Sequence, residues 1–186
     1  MKAIVYEKYG SPDVLRLEDV ARPSPKGDEV LVRVHAASVN SWGWEQLVGT
    51  FQGRLGGPFR PRHKILGADI AGRIESVGKD VTKFKPGDDV FGDLSAGGWG
   101  GFAEYVCAPE NMLVLKPAEM SFEQAAAIPQ AGLLALQGLR DSGKIRAGPK
   151  VLINGAGGGV GLFAIQIAKT HGAEVTGVDS AEKLDA

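Results

Sequence analysis

One glycine-rich segment constrains the fold of this chain more than any other part of its sequence. It spans residues 154–161 and reads Asn-Gly-Ala-Gly-Gly-Gly-Val-Gly, directly after a short apolar run at residues 151–153. A second strand is predicted at Glu174–Val178, about one helix length further on. Between them, apolar residues recur at helical spacing up to Gly172: Val160, Phe163, Ala164, Ile167 and Ala168. This order predicts one β-α-β unit whose first strand is buried and parallel to the second.

The glycine segment predicts an anion site. Where a strand leads through a glycine loop into a helix, the amides that the helix leaves unused converge at the positive end of its dipole. Glycines let a pyrophosphate approach the backbone and let the helix pack closely on the strand. The spacing here is G-x-x-G-x-x-G at Gly155, Gly158 and Gly161, because Val160 stands where strict G-x-G-x-x-G requires glycine.

An acidic residue at the end of the second strand strengthens this interpretation. Asp179 stands where a carboxylate accepts hydrogen bonds from the adenosine ribose of a dinucleotide. The alternative is a β-α-β turn with a purely structural role. The sequence therefore predicts a dinucleotide site formed by Gly155, Gly158, Gly159, Val160, Gly161, Asp179, Ser180 and Lys183.

The same end of the second strand bears on the choice of coenzyme. The carboxylate of Asp179 repels a 2′-phosphate and so favours NAD over NADP. Ser180 and Lys183 follow at once, and a lysine there either neutralises that phosphate or is a solvated helix residue. The choice between NAD and NADP stays open.

Residues 1–120 carry a different pattern, with short strand candidates separated by glycine and proline. Glu29–Ala37 alternates with period two, which is typical of a half-buried strand. Further strands are predicted at residues 65–77, 90–92 and 102–108, and their number and spacing indicate a small barrel or sandwich. One helix is predicted at Ser41–Val48, closed by Gly49.

The pattern changes at Ser121. Ser121 and Gln124 have the spacing of a capping box, which predicts a helix start. The Ala- and Leu-rich stretch that follows predicts one helix to about Asp141, kinked at Pro129 and ended near Gly143.

Composition excludes several classes of protein. The net charge of −1 over 186 residues lacks the basic footprint of a nucleic-acid-binding protein. A single cysteine, Cys107, forbids an intramolecular disulfide and a cysteine-rich metal site, and favours a reducing compartment. No window is apolar enough for a signal peptide or a membrane span, so we expect a cytoplasmic protein without nucleic-acid or membrane partners.

Matched segments along almost the whole sequence resemble one known family. They are YGSPDVL at residues 9–15, VHAASVN at 34–40, LGADIAG at 66–72, PGDDVFG at 86–92 and GGVG at 158–161. The chain is similar to the medium-chain dehydrogenase/reductase superfamily, specifically its zinc-free quinone oxidoreductase-like branch. The resemblance implies a mixed fold, with a GroES-like β-barrel catalytic domain at residues 1–120 and the start of a Rossmann α/β domain at 121–186.

The resemblance also implies an activity and its partners. It implies an NAD(P)H-dependent oxidoreductase that transfers hydride to a small molecule, namely a quinone, an enone or a related carbonyl. It implies no zinc, because zinc-dependent relatives place ligands where this chain has Asn40, Ala68 and Gln130. Dimers are usual in the family, so a homodimer is expected for the full-length protein.

Asn40 is the catalytic candidate. The resemblance places the matching residue near the nicotinamide and the substrate, where its amide can donate to a developing oxyanion. Asparagine is also a favoured N-cap for the helix predicted to begin at Ser41, and both roles stay open. Trp42 and Trp44, just beyond, are either the wall of an apolar acceptor pocket or part of the core.

One β-α-β unit is less than a whole Rossmann sheet, which needs two mononucleotide-binding halves. We therefore expect an N-terminal fragment that leaves apolar surface uncovered and has little activity alone. The rival interpretation is a non-catalytic dinucleotide-binding or structural protein on the same scaffold. It is motivated by the expected truncation, by Leu134, where many relatives carry threonine, and by Gly43. Relatives commonly carry an acidic residue or tyrosine near residues 43–45, so that role is either vacant here or moved to Glu45.

Overall fold

The structure is a computed structural model that describes residues 1–183. The chain divides into two units, Met1–Ala127 and Ile128–Ala186. The first unit is rich in antiparallel strands and the second contains a parallel strand pair with helices. The mixed fold class predicted from the sequence is confirmed.

The first unit is built on a five-stranded antiparallel sheet and a separate hairpin. The sheet has the order β6-β3-β4-β5-β7, and β1 pairs with β2. The strands are β1 Lys2–Val5, β2 Arg16–Asp19, β3 Glu29–Ala37, β4 Asp69–Val77, β5 Asp89–Asp93, β6 Tyr105–Pro109 and β7 Leu113–Leu115.

Side chains on one face of β3 form part of the core of this sheet. Val30 and Val32 are fully buried in one cluster with Ile70 and Val90 from the neighbouring strands. His35, on the other face, is exposed and stacks on the ring of Phe122 with centroids 4.3 Å apart. The bounds of β3, Glu29–Ala37, are the ones that the sequence predicts.

Helix α1, Ser41–Val48, begins and ends as predicted. The side chain of Asn40 accepts a hydrogen bond from the backbone N–H of Gly43, which caps the first turn. Gly49 ends the helix in the left-handed conformation at φ 69°, and a Cβ there would collide with the ring of Tyr9.

The prediction of one kinked helix after Ser121 is wrong. The capping box of Ser121 and Gln124 is present, but it starts a short helix α2, Phe122–Ala126. A separate helix α3, Pro129–Gln137, begins at the proline and passes into a π-helical turn, Gly138–Ser142. Proline has no N–H to continue the hydrogen-bond ladder of a helix but fits the first position of a new one, so the chain breaks there.

Helix α2 belongs to the first unit. Its residues Ala125 and Ala126 are buried against Ala71 of β4. The division between the units therefore falls after Ala127, whereas the change in sequence pattern falls at Ser121.

The second unit contains the predicted β-α-β arrangement. Strand β8, Lys150–Asn154, leads through the glycine loop to helix α4, Gly159–Thr170, and then to β9, Glu174–Val178, which is parallel to β8. Ile153 packs with Ala164 of α4 and Ala135 of α3. The expected burial of the whole run 151–153 is wrong for Leu152, which is 68% exposed, because strand side chains alternate between faces and Leu152 points away from this core.

Two valines on neighbouring strands test the core of the sheet. Val90→Ala in β5 removes two fully buried methyl groups, so we expect it to lower the free energy of unfolding by about 2–3 kcal/mol. Val114→Ala in β7 removes the same groups from a side chain that is 55% exposed and should cost less than about 1 kcal/mol. Urea denaturation followed by tryptophan fluorescence measures both, because Trp42, Trp44 and Trp99 all lie in the first unit. Equal losses would contradict the assigned core.

Candidate functional site

The glycine loop is held to the end of β9 by backbone hydrogen bonds. The N–H groups of Gly155 and Ala156 both donate to the carbonyl of Val178, over 2.8 and 3.1 Å. Gly155 has φ 80°, a left-handed conformation that glycine adopts without strain, and its carbonyl accepts from Gly158 N–H over 3.1 Å. The turn that leaves β8 is therefore fixed before any ligand binds.

Gly161 lets helix α4 pack against this turn. A Cβ at residue 161 would overlap the carbonyl oxygen of Gly155 and crowd the backbone of Ala156. A Cβ at Gly159 would meet nothing nearer than the side chain of Ala131, 3.8 Å away. The inner side of the first helical turn is thus closed by packing, whereas the backbone at Gly159 is open to approach.

Asp179 joins the loop to the strand that follows it. Its Oδ2 accepts the N–H of Gly157 over 2.8 Å, and its Oδ1 accepts the N–H of Ser180 over 2.7 Å. These two N–H groups, together with the positive charge of Lys183, hold the pKa of Asp179 below its ordinary value. The carboxylate is therefore ionised at neutral pH and orients the middle of the loop.

Within the described residues, three amides at the start of α4 are open in the sense that no hydrogen-bond acceptor is paired with them. The N–H groups of residues 155–158 are used within the loop, and Leu162 is the first to donate inside the helix, to Gly158. The N–H groups of Gly159, Val160 and Gly161 have no hydrogen-bond partner among residues 1–183. They lie at the positive end of a twelve-residue helix, where an anion is stabilised.

Ser180 and Lys183 lie beside the same loop. Lys183 ends a short 3-10 turn, Ala181–Lys183, and its backbone N–H donates to the carbonyl of Ser180 over 2.9 Å. A Cβ at Gly157 would lie 2.8 Å from the Cβ of Lys183, so the turn packs directly over the glycine loop. The structure thus brings together all eight residues that the sequence nominates for the dinucleotide.

Asn40 lies in the first unit, next to a buried carboxylate. Its Oδ1 caps helix α1, and its Nδ2 is 3.5 Å from Oδ2 of Asp69. The hydroxyl of Ser38 donates to the same oxygen over 3.3 Å, and Asp69 is only 2% exposed. Asp69 was missed as a site residue, although an acid inside the apolar stretch Leu66 to Ala71 is a signal that sequence reading can find.

An apolar cavity of about 310 Å³ adjoins Asn40. Trp44 lines this cavity, whereas Trp42 packs in the cluster formed by Tyr6, Leu47, Leu66, Ala68 and Trp99. The sequence left open whether Trp42 and Trp44 form a pocket wall or part of the core. Trp44 forms part of the pocket wall, and Trp42 is part of the core.

Within residues 1–183, no group of three or more His, Cys, Asp and Glu side chains is placed to hold a metal ion. His171 follows the last residue of helix α4, with Nδ1 3.0 Å from the carbonyl oxygen of Ile167.

Burial raises the pKa of the Cys107 thiol to about 11, which keeps it protonated and unreactive at neutral pH. No helix in the described part of the chain is long and apolar enough to cross a membrane.

Comparison with known proteins connects these features to one family. Residues 26–118 match the alcohol dehydrogenase GroES-like domain. The chain is 39% identical to the quinone oxidoreductase of Rattus norvegicus over 184 residues, which cover 98% of this chain and 54% of the rat protein.

Solved structures agree with this match. The quinone oxidoreductase from Coxiella burnetii superimposes with a TM-score of 0.89 at 37% identity, over 98% of this chain and 57% of that one. The CurK enoyl reductase superimposes with a TM-score of 0.88 at 31% identity, over 99% of this chain and 55% of that one.

The chain spans about half the length of the curated relatives it matches. The match covers 98% of this chain and therefore includes both the strand-rich unit and the glycine loop. The chain belongs to the alcohol dehydrogenase GroES-like family and is a quinone oxidoreductase-like member of the medium-chain dehydrogenase/reductase superfamily.

Proposed function

We propose that this chain binds NAD(P)H and belongs to an oxidoreductase that reduces quinones, enones or related conjugated carbonyls. The observation that carries the proposal is the set of three open amides at Gly159, Val160 and Gly161 beside the ionised carboxylate of Asp179. The amides fit a pyrophosphate, and the carboxylate retains acceptor capacity for ribose hydroxyls. Gly155 and Gly158 support this site by forming the turn. We assign Ser180 and Lys183, which lie in the turn beside the loop, to the ribose.

Asn40 fits the proposed chemistry at the acceptor. Because its Oδ1 is committed to the cap of α1, its amide nitrogen is held in a fixed orientation. One N–H points towards Asp69, and the second is left to donate to the oxygen of a conjugated carbonyl as negative charge develops there. The bound coenzyme supplies the hydride. The proposal uses no zinc, since Asn40 and Ala68 replace usual zinc ligands.

A turnover assay tests this function. The polypeptide translated from the complete coding sequence is mixed with NADH or NADPH and a quinone, and coenzyme oxidation is followed at 340 nm, a general property of reduced nicotinamides. The proposal expects oxidation that depends on the quinone. Coenzyme binding without turnover of any quinone or enone would favour the non-catalytic protein instead.

Gly161→Ala tests the glycine loop. A methyl group there collides with Gly155, so the first turn of α4 must shift and its amides lose their alignment. We expect the Kd for NADH to rise at least about tenfold, which corresponds to losing one charge-assisted hydrogen bond. Isothermal titration of the 186-residue chain measures it. The control is Gly138→Ala, which has open space for a methyl group and should leave the Kd unchanged. An unaltered Kd for Gly161→Ala would contradict the site.

The coenzyme preference is tested at Asp179 and Lys183. Asp179→Asn keeps an acceptor for the Gly157 amide but removes the charge that repels a 2′-phosphate, so the affinity ratio should move roughly fivefold towards NADPH. Lys183→Gln should move the ratio towards NADH if the lysine neutralises that phosphate. Lys169→Gln, at the far end of α4, is the matched control. Competition titrations with both coenzymes give the ratios, and two unchanged ratios would remove Asp179 from the ribose site.

A further inference from the structure

Trp99 has a strained backbone in the wall of the Asn40 cavity. Its φ is 66°, in the left-handed region that a bulky residue rarely occupies. The glycines on either side, Gly98 and Gly100, also have positive φ values of 120° and 107°. Such strain persists only where the surroundings hold it in place, and it clusters at functional sites.

Packing holds this strained residue. The indole of Trp99 is only 6% exposed and packs with Tyr6, Leu47 and Leu66. Its backbone N–H donates to the carbonyl of Leu94 over 3.1 Å. The result is a rigid aromatic surface in the cavity wall.

Trp44 supplies a second aromatic surface with different properties. It lies in the first turn of α1, four residues after Asn40, and its side chain is 51% exposed while it lines the cavity. An indole with an accessible face can stack on a planar ring.

The remainder of the lining is poor in polar groups. No charged side chain lines the cavity, and apart from the two indoles its polar side chains are those of Ser38 and Asn40. The hydroxyl of Ser38 is engaged with Asp69. An ionised substituent that entered would lose its hydration and could gain only the neutral N–H donor of Asn40, with no cationic side chain in the lining to offset the loss, which is costly. The volume of 310 Å³ is at the small end of ligand pockets, which span about 300–1,000 Å³.

We propose that Trp44 and Trp99 make this cavity selective for a compact, planar and uncharged carbonyl acceptor, and that anionic acceptors of the same shape are excluded. The ring stacks on the tryptophans while one carbonyl oxygen accepts from the amide of Asn40. This inference rests on the proposed function for its reaction, but the cavity binds the acceptor without the coenzyme.

Two quinones of matched shape test the selectivity. The neutral probe is 2,3-dimethyl-1,4-naphthoquinone, which has no free vinylic carbon to alkylate Cys107. The anionic probe is 2-hydroxy-3-methyl-1,4-naphthoquinone, which replaces one methyl group with an oxyanion at neutral pH. Quenching of tryptophan fluorescence in the 186-residue chain gives both Kd values without coenzyme, since two of the three tryptophans line the cavity. We expect saturable quenching by the neutral quinone and at least about tenfold weaker binding of the anion.

Variants in helix α1 test whether quinone binding takes place in the cavity. Trp44→Ala alters a half-exposed side chain, so the chain should still fold, and the Kd for the neutral quinone should rise about two- to tenfold. Gln46→Ala is the control in the same helix, outside both the cavity lining and the cluster around Trp99, and should leave that Kd unchanged. Equal affinity for the two quinones, an unchanged Kd in Trp44→Ala, or no saturable quenching would each overturn the proposal. A chain that binds the neutral quinone but neither coenzyme would refute the proposed function while leaving this selectivity intact.

Discussion

The hydrogen bond from the Gly157 amide to the Asp179 carboxylate is the interaction on which the candidate coenzyme site depends. It holds the middle of the glycine loop to the residue that ends β9, and the Val178 carbonyl holds the start of the same loop. Because these contacts use the amides of residues 155–158, the N–H groups of residues 159–161 are the ones in the glycine loop and the first turn of α4 that are left without a hydrogen-bond partner among the described residues. One carboxylate thus shapes the anion site and is also placed to accept a ribose.

In the first unit, the side chain of Asn40 likewise makes two contacts with different roles. Its oxygen caps α1 and its nitrogen faces Asp69, so one side chain starts a helix and presents an N–H donor in a fixed orientation. The two roles left open by the sequence, helix cap and amide donor, are therefore compatible in the same conformer. Asp69 is buried beside Asn40 and also accepts from the hydroxyl of Ser38, so one carboxyl group holds two of the polar side chains that line the apolar cavity.

Local patterns predicted much of this architecture. The bounds of β3, α1 and β9 follow from periodicity, an asparagine cap and a closing glycine, because these signals act within a few residues. Three features did not follow, since they depend on neighbours distant in sequence. The partnership of Asp69 with Asn40 needs β4 beside the start of α1, and the strained φ of Trp99 needs packing from Tyr6 and Leu47. The exposure of Leu152 depends on which face of the sheet the helices cover.

The central claim is that the open amides of α4 bind the diphosphate while the amides tied into the loop do not. Titration of the ¹⁵N-labelled 186-residue chain with ADP-ribose, followed by amide chemical shifts, tests this most directly. The account predicts that the proton resonances of Gly159, Val160 and Gly161 move downfield on binding, and that those of Gly155 to Gly158 move much less. Shifts confined to residues outside this loop, or none at saturating ligand, would contradict it.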